Sequence, residues 1–371
     1  MAKKRTRLIL IGLLGIAVAT IASAGLLALI PARQGLSLLE SLYLRLWLSN
    51  RESTLSAPAG TDNTPRLFVI EPGDTAALIG HKLAEARLIT DPEAFRNYAR
   101  YHGLDARLEA GTYFLRQTDT IPAIALTLTD SSKASVTVRI LEGWRREEIA
   151  NVIDANPYLR FSGADFLNLT GPGAEVPAEF VALVGLPAGA SLEGFLYPET
   201  YFVPPEATAE DFRATLLETF VTRAGTDLSA AAAASGLSLY QAVTLASIIQ
   251  REAIHADEQP LIASVYRNRL AAGMTLDADP TVQYAIGYRD GAWWSPITQE
   301  DYRTASSPYN TYLNAGLPPG PIANPPRSAI EAAIFPARSD YYYFRADCAG
   351  SGYHVFARTY EEHLANGRCG G

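Results

Sequence analysis

The chemistry suggested by this sequence converges on Glu252, the last residue of Leu245-Ala-Ser-Ile-Ile-Gln-Arg-Glu252. Counting back seven, four and three positions from it gives Leu245, Ile248 and Ile249, so on a helix its carboxyl shares their apolar face. Desolvation on such a face raises a carboxyl pKa and keeps the proton in place near neutrality, as a general acid requires. On periodicity alone the alternative is a helix-end glutamate paired with Arg251, Arg267 or Arg269. Two further carboxylates, Asp277 and Asp279, form a D-x-D pair of the kind that holds a divalent cation and a nucleotide diphosphate. No glycine-rich phosphate cradle or doubly wound β/α alternation precedes them, which argues against a metal-dependent glycosyltransferase. His255, Asp257 and Glu258 match no H-E-x-x-H spacing, which argues against a zinc peptidase.

The element that must position Glu252 announces itself. Ser238, followed three residues later by Gln241, satisfies the capping box, so a helix is expected to start there and run through Leu245, Ile248, Ile249 and Glu252. Upstream, Leu67 to Glu71 alternates like a strand, Pro72-Gly73 turns the chain, and Asp74 or Thr75 caps a helix over Ala76 to Ala86. Asp91-Pro92 starts a second helix that ends near His102-Gly103, and Gly111 to Arg116 returns as a strand. This β-α-α-β order around Ile70-Glu71-Pro72-Gly73-Asp74-Thr75 resembles a LysM-like sugar-binding module. Val136 to Leu141, Glu142-Gly143 and the helical run Trp144 to Ile153 echo the same strand, turn and helix. A further helix is expected from about Ala209 to Arg223.

The chain of 371 residues is long enough for two or three folded units. Leu8 to Ile30 is a run of 23 uncharged residues, roughly 34 Å as a helix, enough to span a hydrocarbon core of about 30 Å. Lys3, Lys4, Arg5 and Arg7 precede it, which places the N-terminus in the cytoplasm and the rest outside. Ala22-Ser23-Ala24 offers a signal-peptide cleavage site as the alternative. Leu36 to Leu48 reads as an amphipathic helix on the outer membrane surface, and Asn50 to Pro65 as a linker. Without its four leading cations the chain carries 27 basic against 39 acidic residues, a net −12 that opposes nucleic-acid binding. Two cysteines, Cys348 and Cys369, exclude a thiolate zinc ribbon or an iron-sulfur cluster, and in an oxidising compartment they are expected to pair.

Between Leu245 and Ile322 a set of short motifs occurs in order: Leu245 to Glu252, Ala263-Ser-Val-Tyr-Arg-Asn268-Arg269-Leu270, Gly273-Met274, Asp279-Pro280-Thr281-Val282, Tyr309-Asn310-Thr311-Tyr312 and Gly316-Leu317-Pro318-Pro319-Gly320-Pro321-Ile322. With Leu192 to Phe202, Tyr341 to Phe344 and Gly352 to Phe356, this set resembles the YceG-like family of MltG-type endolytic murein transglycosylases. The resemblance implies an α+β fold divided into a cytoplasmic tail and transmembrane helix (1–34), a juxtamembrane segment and linker (35–66), a LysM-like subdomain (67–135) and a mixed α+β catalytic domain (136–371). It implies Glu252 as the catalytic residue, no cofactor and no metal, and cleavage of the β-1,4 bond between N-acetylmuramic acid (MurNAc) and N-acetylglucosamine (GlcNAc) to leave 1,6-anhydro ends on nascent strands. The implied partners are peptidoglycan glycan strands and the membrane, with peptidoglycan synthases as further candidates; the implied place is the cytoplasmic membrane, with the catalytic body outside.

The sequence departs from the family beside Glu252, with Gln250 where a glutamate is usual and Ala253 where a threonine is. Two positions on a helix separate faces, so the carboxyl missing at 250 is expected to be dispensable. Asn310, Thr311 and Tyr312 are expected to position substrate, their alternative being a polar turn before the Gly-Leu-Pro-Pro-Gly loop. Asp279 is expected either to contact substrate or to cap the helix that Pro280 begins. The competing non-enzymatic reading is a membrane-tethered glycan-binding scaffold in which Glu252 is inert.

Overall fold

The computed structural model describes residues 36–130 and 135–368. The apolar run Leu8 to Ile30 and Cys369 lie outside the described residues. Cys348 is disulfide-bonded rather than a free thiol. Among the described residues no single helix is long and apolar enough to cross a membrane. The chain divides into two compact units at the step from Ser135 to Val136.

The first unit begins with helix α1 (Leu38–Ser49), whose N-terminus is capped by Ser37, and the short α2 (Glu52–Ser56). Strand β1 (Arg66–Ile70) then leads to α3 (Ala76–Glu85) and α4 (Pro92–His102). Thr75, not Asp74, caps α3, accepting from the Leu78 amide. Asp91 caps α4, with Pro92 at its first position, and Gly103 ends it at φ 66, where a Cβ would be strained. Strand β2 (Gly111–Leu115) pairs antiparallel with β1, from Arg66 opposite Leu115 to Ile70 opposite Gly111, and α5 (Ile121–Thr127) follows. Phe68, Ile79, Leu83, Phe95, Tyr113 and Ile124 form the core. The stretch expected to be a linker contains α2, whose Leu55 packs against this core. Further along the stretch the Gly60 amide donates to the Gln117 carbonyl at 3.1 Å and the Thr118 hydroxyl to Asn63 Oδ1 at 2.9 Å.

The second unit opens on a related plan. Strand β3 (Val136–Arg139) is followed by α6 (Arg146–Asp154), α7 (Gly163–Thr170) and α8 (Ala178–Val184), and β4 (Thr200–Val203) returns antiparallel to β3. Helix α9 (Ala209–Phe220) continues through a π turn at Val221–Gly225 into α10 (Thr226–Ala234).

The centre of this unit is α11 (Leu239–Glu252). Ser238 and Gln241 make the reciprocal cap at its start, and Leu239, Tyr240 and everything from Ala242 to Ile249 are buried. The next helix, α12 (Gln259–Ala271), and α13 (Asp279–Ile286) pack on it, as does α15 (Arg327–Ile334), which follows the short α14 (Asp301–Thr304). The chain closes with the hairpin β5 (Tyr343–Ala346) and β6 (His354–Ala357) and with α16 (Tyr360–Asn366). Small two-stranded sheets among many helices make an α+β fold.

Candidate active site

Glu252 is the final residue of α11, where the helix gives way to extended backbone at Ala253. The three apolar residues that share its face, Leu245, Ile248 and Ile249, are fully buried. Glu252 itself is intermediate in exposure, less buried than those three residues. The Tyr266 hydroxyl of α12, itself fully buried, donates to Glu252 Oε1 at 2.8 Å. Burial pushes the Glu252 carboxyl up to about 7; the Tyr266 hydrogen bond and the charges of Arg251 and Arg269 pull downward, while Asp279 adds to the rise.

The expected alternative of a salt-bridged helix end is not what forms. Arg267 donates to the Ser235 carbonyl at 2.7 Å. Arg251 lies over the Trp294 ring, 3.9 Å from its centroid. Arg269 donates to the carbonyls of Tyr342 (2.6 Å) and Leu276 (2.8 Å) and to Asp277 Oδ2 (3.0 Å). Beside it, the Asn268 amide donates to the carbonyls of Ser339 and Tyr341 at 3.0 and 2.9 Å. Asn268 and Arg269 thus fasten the segment before β5 and the turn before α13 to the helix that carries Tyr266.

Asp279 stands at the first position of α13, but the N-cap is Ala278 and the Asp279 carboxylate caps nothing. The end is satisfied from outside: Thr311 Oγ1 accepts from the Ala278 amide at 3.0 Å. Freed from capping, the exposed Asp279 accepts from the Tyr312 hydroxyl at 2.7 Å and the Tyr302 hydroxyl at 3.3 Å, the two rings lying 4.4 Å apart. Asp277 faces Arg269 instead, so the D-x-D carboxylates have separate partners. Among the described residues no group of three or more His, Cys, Asp or Glu is arranged to hold a metal ion.

Asn310 and Thr311 correct the sequence expectation, for both are fully buried. The Asn310 amide donates to the carbonyls of Tyr302 and Ala305 at 3.1 and 3.0 Å, and its oxygen accepts from the Tyr312 amide at 3.0 Å. Both donors are spent on the loop itself. Thr311 Oγ1 lies 2.8 Å from Thr281 Oγ1 besides holding Ala278. These residues shape the loop that presents Tyr312; of the expected trio only the partly exposed Tyr312 reaches the surface.

Gln250 points elsewhere, accepting from Gln259 Nε2 at 2.9 Å and lining a cleft with Arg139, Leu141, Glu142 and Thr200. A cavity of about 700 Å³ is lined by Ser238, Tyr240, Thr244, Leu270 and Pro318. It begins at the opposite end of α11, a helix roughly 20 Å long, so this cavity and the candidate acid do not coincide.

Sequence reasoning missed a second acid. Glu193, in the Leu192 to Phe202 segment, is fully buried and pushed up to about 8, chiefly by that burial. The Arg146 amide donates to Oε1 at 3.1 Å and the Asn324 amide group to the same oxygen at 2.9 Å. Asn324 Oδ1 in turn accepts from the amides of Gly194 and Leu196, both at 2.9 Å. The available signal was the adjacent glycine: Gly194 has φ +90, and a Cβ there would sit 2.4 Å from Pro321 Cβ.

Residues 68–368 match the model described as the YceG-like family. A Bacillus subtilis protein named endolytic murein transglycosylase is 32% identical over 310 residues, covering 79% of this chain and 81% of that protein. A Streptococcus pneumoniae protein of the same name is 29% identical over 320 residues, covering 80% of this chain but only 57% of its own length. A crystal structure of a yceG-like protein from Listeria monocytogenes superposes with a TM-score of 0.53 at 31% identity, covering 81% of this chain and 98% of that one.

Proposed function

The chain belongs to the YceG-like family, and from that premise we propose that it is a lytic peptidoglycan transglycosylase with Glu252 as its acid. One observation carries the assignment of the acid: a carboxyl raised to about 7 at the mouth of a helix end, fixed by a buried tyrosine and free of any capping or structural ion pair. Near neutral pH such a group is poised to give a proton and take one back.

The Tyr266 hydroxyl holds Oε1, which leaves Oε2 to carry the proton. That proton passes to the glycosidic oxygen between MurNAc and GlcNAc as the bond from C1 to that oxygen breaks. The carboxylate so formed accepts the proton of the muramyl C6 hydroxyl, whose oxygen bonds to C1 and closes the 1,6-anhydro ring. No water is consumed, and a hydrolase's second catalytic carboxylate is not required. The nucleophile is already part of the substrate, so proximity lowers the barrier by several kcal/mol. Asp279, Tyr302 and Tyr312 form a polar, aromatic edge suited to the hydroxyl and acetamido groups of a sugar.

The wider reading is a single-pass protein of the cytoplasmic membrane, anchored through Leu8 to Ile30, that cuts nascent strands internally and so ends their elongation. The β-α-α-β arrangement of the first unit supports a LysM-like role in holding glycan. Digestion of purified peptidoglycan in ¹⁸O-labelled water tests the reaction. Anhydro-muramyl ends without label are expected; labelled reducing ends would mean hydrolysis, and intact strands would leave a glycan-binding scaffold.

A further inference from the structure

We propose that α1 lies along the membrane surface with Leu39, Leu42, Tyr43 and Leu46 set into the lipid headgroup layer, a placement that rests on reading Leu8 to Ile30 as a membrane anchor. The helix is apolar on two opposite faces. On one, Ser41, Leu44 and Leu48 are buried, and α1 packs on α4. On the other, Leu39 is 77% exposed, Tyr43 62% and Leu46 58%, with Leu42 partly exposed between them. At about 100° per residue these four fall within an arc of roughly 100°, a continuous apolar stripe on the outside of the unit.

The stripe cannot turn inward. Glu40 is paired with Arg100 at 3.5 Å across one flank of the helix. At the C-terminal end the Arg51 guanidinium lies 3.8 Å from the Trp47 ring centroid and 3.5 Å from Asp91, fastening the end of α1 to the start of α4. Isolated exposed leucines need no explanation, but a stripe of apolar residues on a helix whose other face is already satisfied marks a contact surface.

Chain order identifies lipid as the occupant. Seven residues, 31–37, separate Ile30 from Leu38. Even fully extended they reach only about 25 Å, so a chain leaving the hydrocarbon at Ile30 keeps α1 within that distance of the bilayer and within reach of its interfacial region. Its composition suits that region: leucines to enter the acyl boundary, a tyrosine whose ring and hydroxyl suit the interface, and an exposed Arg45 beside the stripe to meet anionic headgroups. The anchor would then fix the first unit at two points, which sets its orientation as well as its distance from the bilayer.

The test uses the full chain in anionic vesicles. A fluorescent amino acid replaces Leu46 in one preparation and the exposed Glu93 of α4 in another, each challenged with brominated lipid. We expect several-fold quenching at position 46 and almost none at position 93. Adding Leu39→Glu and Tyr43→Glu should abolish the quenching at 46 while the chain still sediments with the vesicles. Sedimentation with an unquenched probe at 46 would overturn the placement of α1 alone, and energy transfer between copies in that state would assign the stripe to a second copy instead. A wild-type chain that does not sediment would remove the anchor and the proposal with it.

Discussion

Glu193 and Glu252 are both acids lifted well above an ordinary carboxyl by burial, to about 8 and about 7, yet the surroundings assign them different work. Glu193 has no exposed surface, and its Oε1 accepts from the Arg146 amide and from Asn324, which also binds the corner at Gly194 and Leu196. Glu252 is only partly buried as a residue and has a single neutral donor, the Tyr266 hydroxyl on Oε1. A raised pKa alone therefore does not single out a catalytic acid in this molecule; partial exposure and a single hydrogen-bond partner set Glu252 apart from Glu193.

The sharpest way to break the comparison is to neutralise each acid in place. Glu252→Gln keeps the shape and should lower the rate of anhydro-end release by about two to four orders of magnitude, the usual worth of general acid-base catalysis. A folded variant with near wild-type release would move the chemistry elsewhere.

Glu193→Gln should change the rate far less, and its signature lies in stability. In the folded chain Glu193 holds its proton up to about 8, against 4.5 for an unperturbed carboxyl. The folded state thus binds more protons across that window, and wild-type stability falls as pH rises through it. Glutamine cannot ionise, so the Tm of the variant should gain on that of the wild type between pH 5 and pH 8, as read by thermal melts at a series of pH values.

The neighbours of Glu252 should pull its titration in opposite directions. On the proposed mechanism the enzyme is competent with Glu252 protonated, so activity is expected to decline as pH rises through about 7. Asp279→Asn removes a charge that raises this carboxyl and should move the decline to lower pH. Tyr266→Phe removes a hydrogen bond that lowers it and should move the decline to higher pH. Profiles of kcat/KM against pH for the two variants check both signs. Gln250→Ala should do least, a change of less than about tenfold in release rate, because position 250 faces the cleft of Arg139 and Glu142 rather than the Glu252 face.

Legibility in the sequence followed the range of the interactions. The cap at Ser238 and the face shared by Leu245, Ile248, Ile249 and Glu252 are local, and helix α11 formed as read. The Asp91-Pro92 start and Gly103 end of α4 were equally local. Tyr266 is fourteen residues from Glu252 and on another helix, so its hydrogen bond could not be read from spacing. Asn310 and Thr311 are expected to position substrate because amides and hydroxyls suit sugars, whereas the fold buries both, Asn310 on the carbonyls of Tyr302 and Ala305 and Thr311 against Ala278 and Thr281. Glu193 was hidden for the same reason, its partner Asn324 lying 131 residues away.

The most direct test of the account is a carboxyl ¹³C titration of the glutamate-labelled protein, with Glu252→Gln to identify the resonance. The account predicts that the signal lost in that variant titrates near pH 7 in the wild type. A Glu252 signal that titrates in the ordinary range near about 4.3 would contradict it, because the carboxyl would then be ionised at neutrality and have no proton to give.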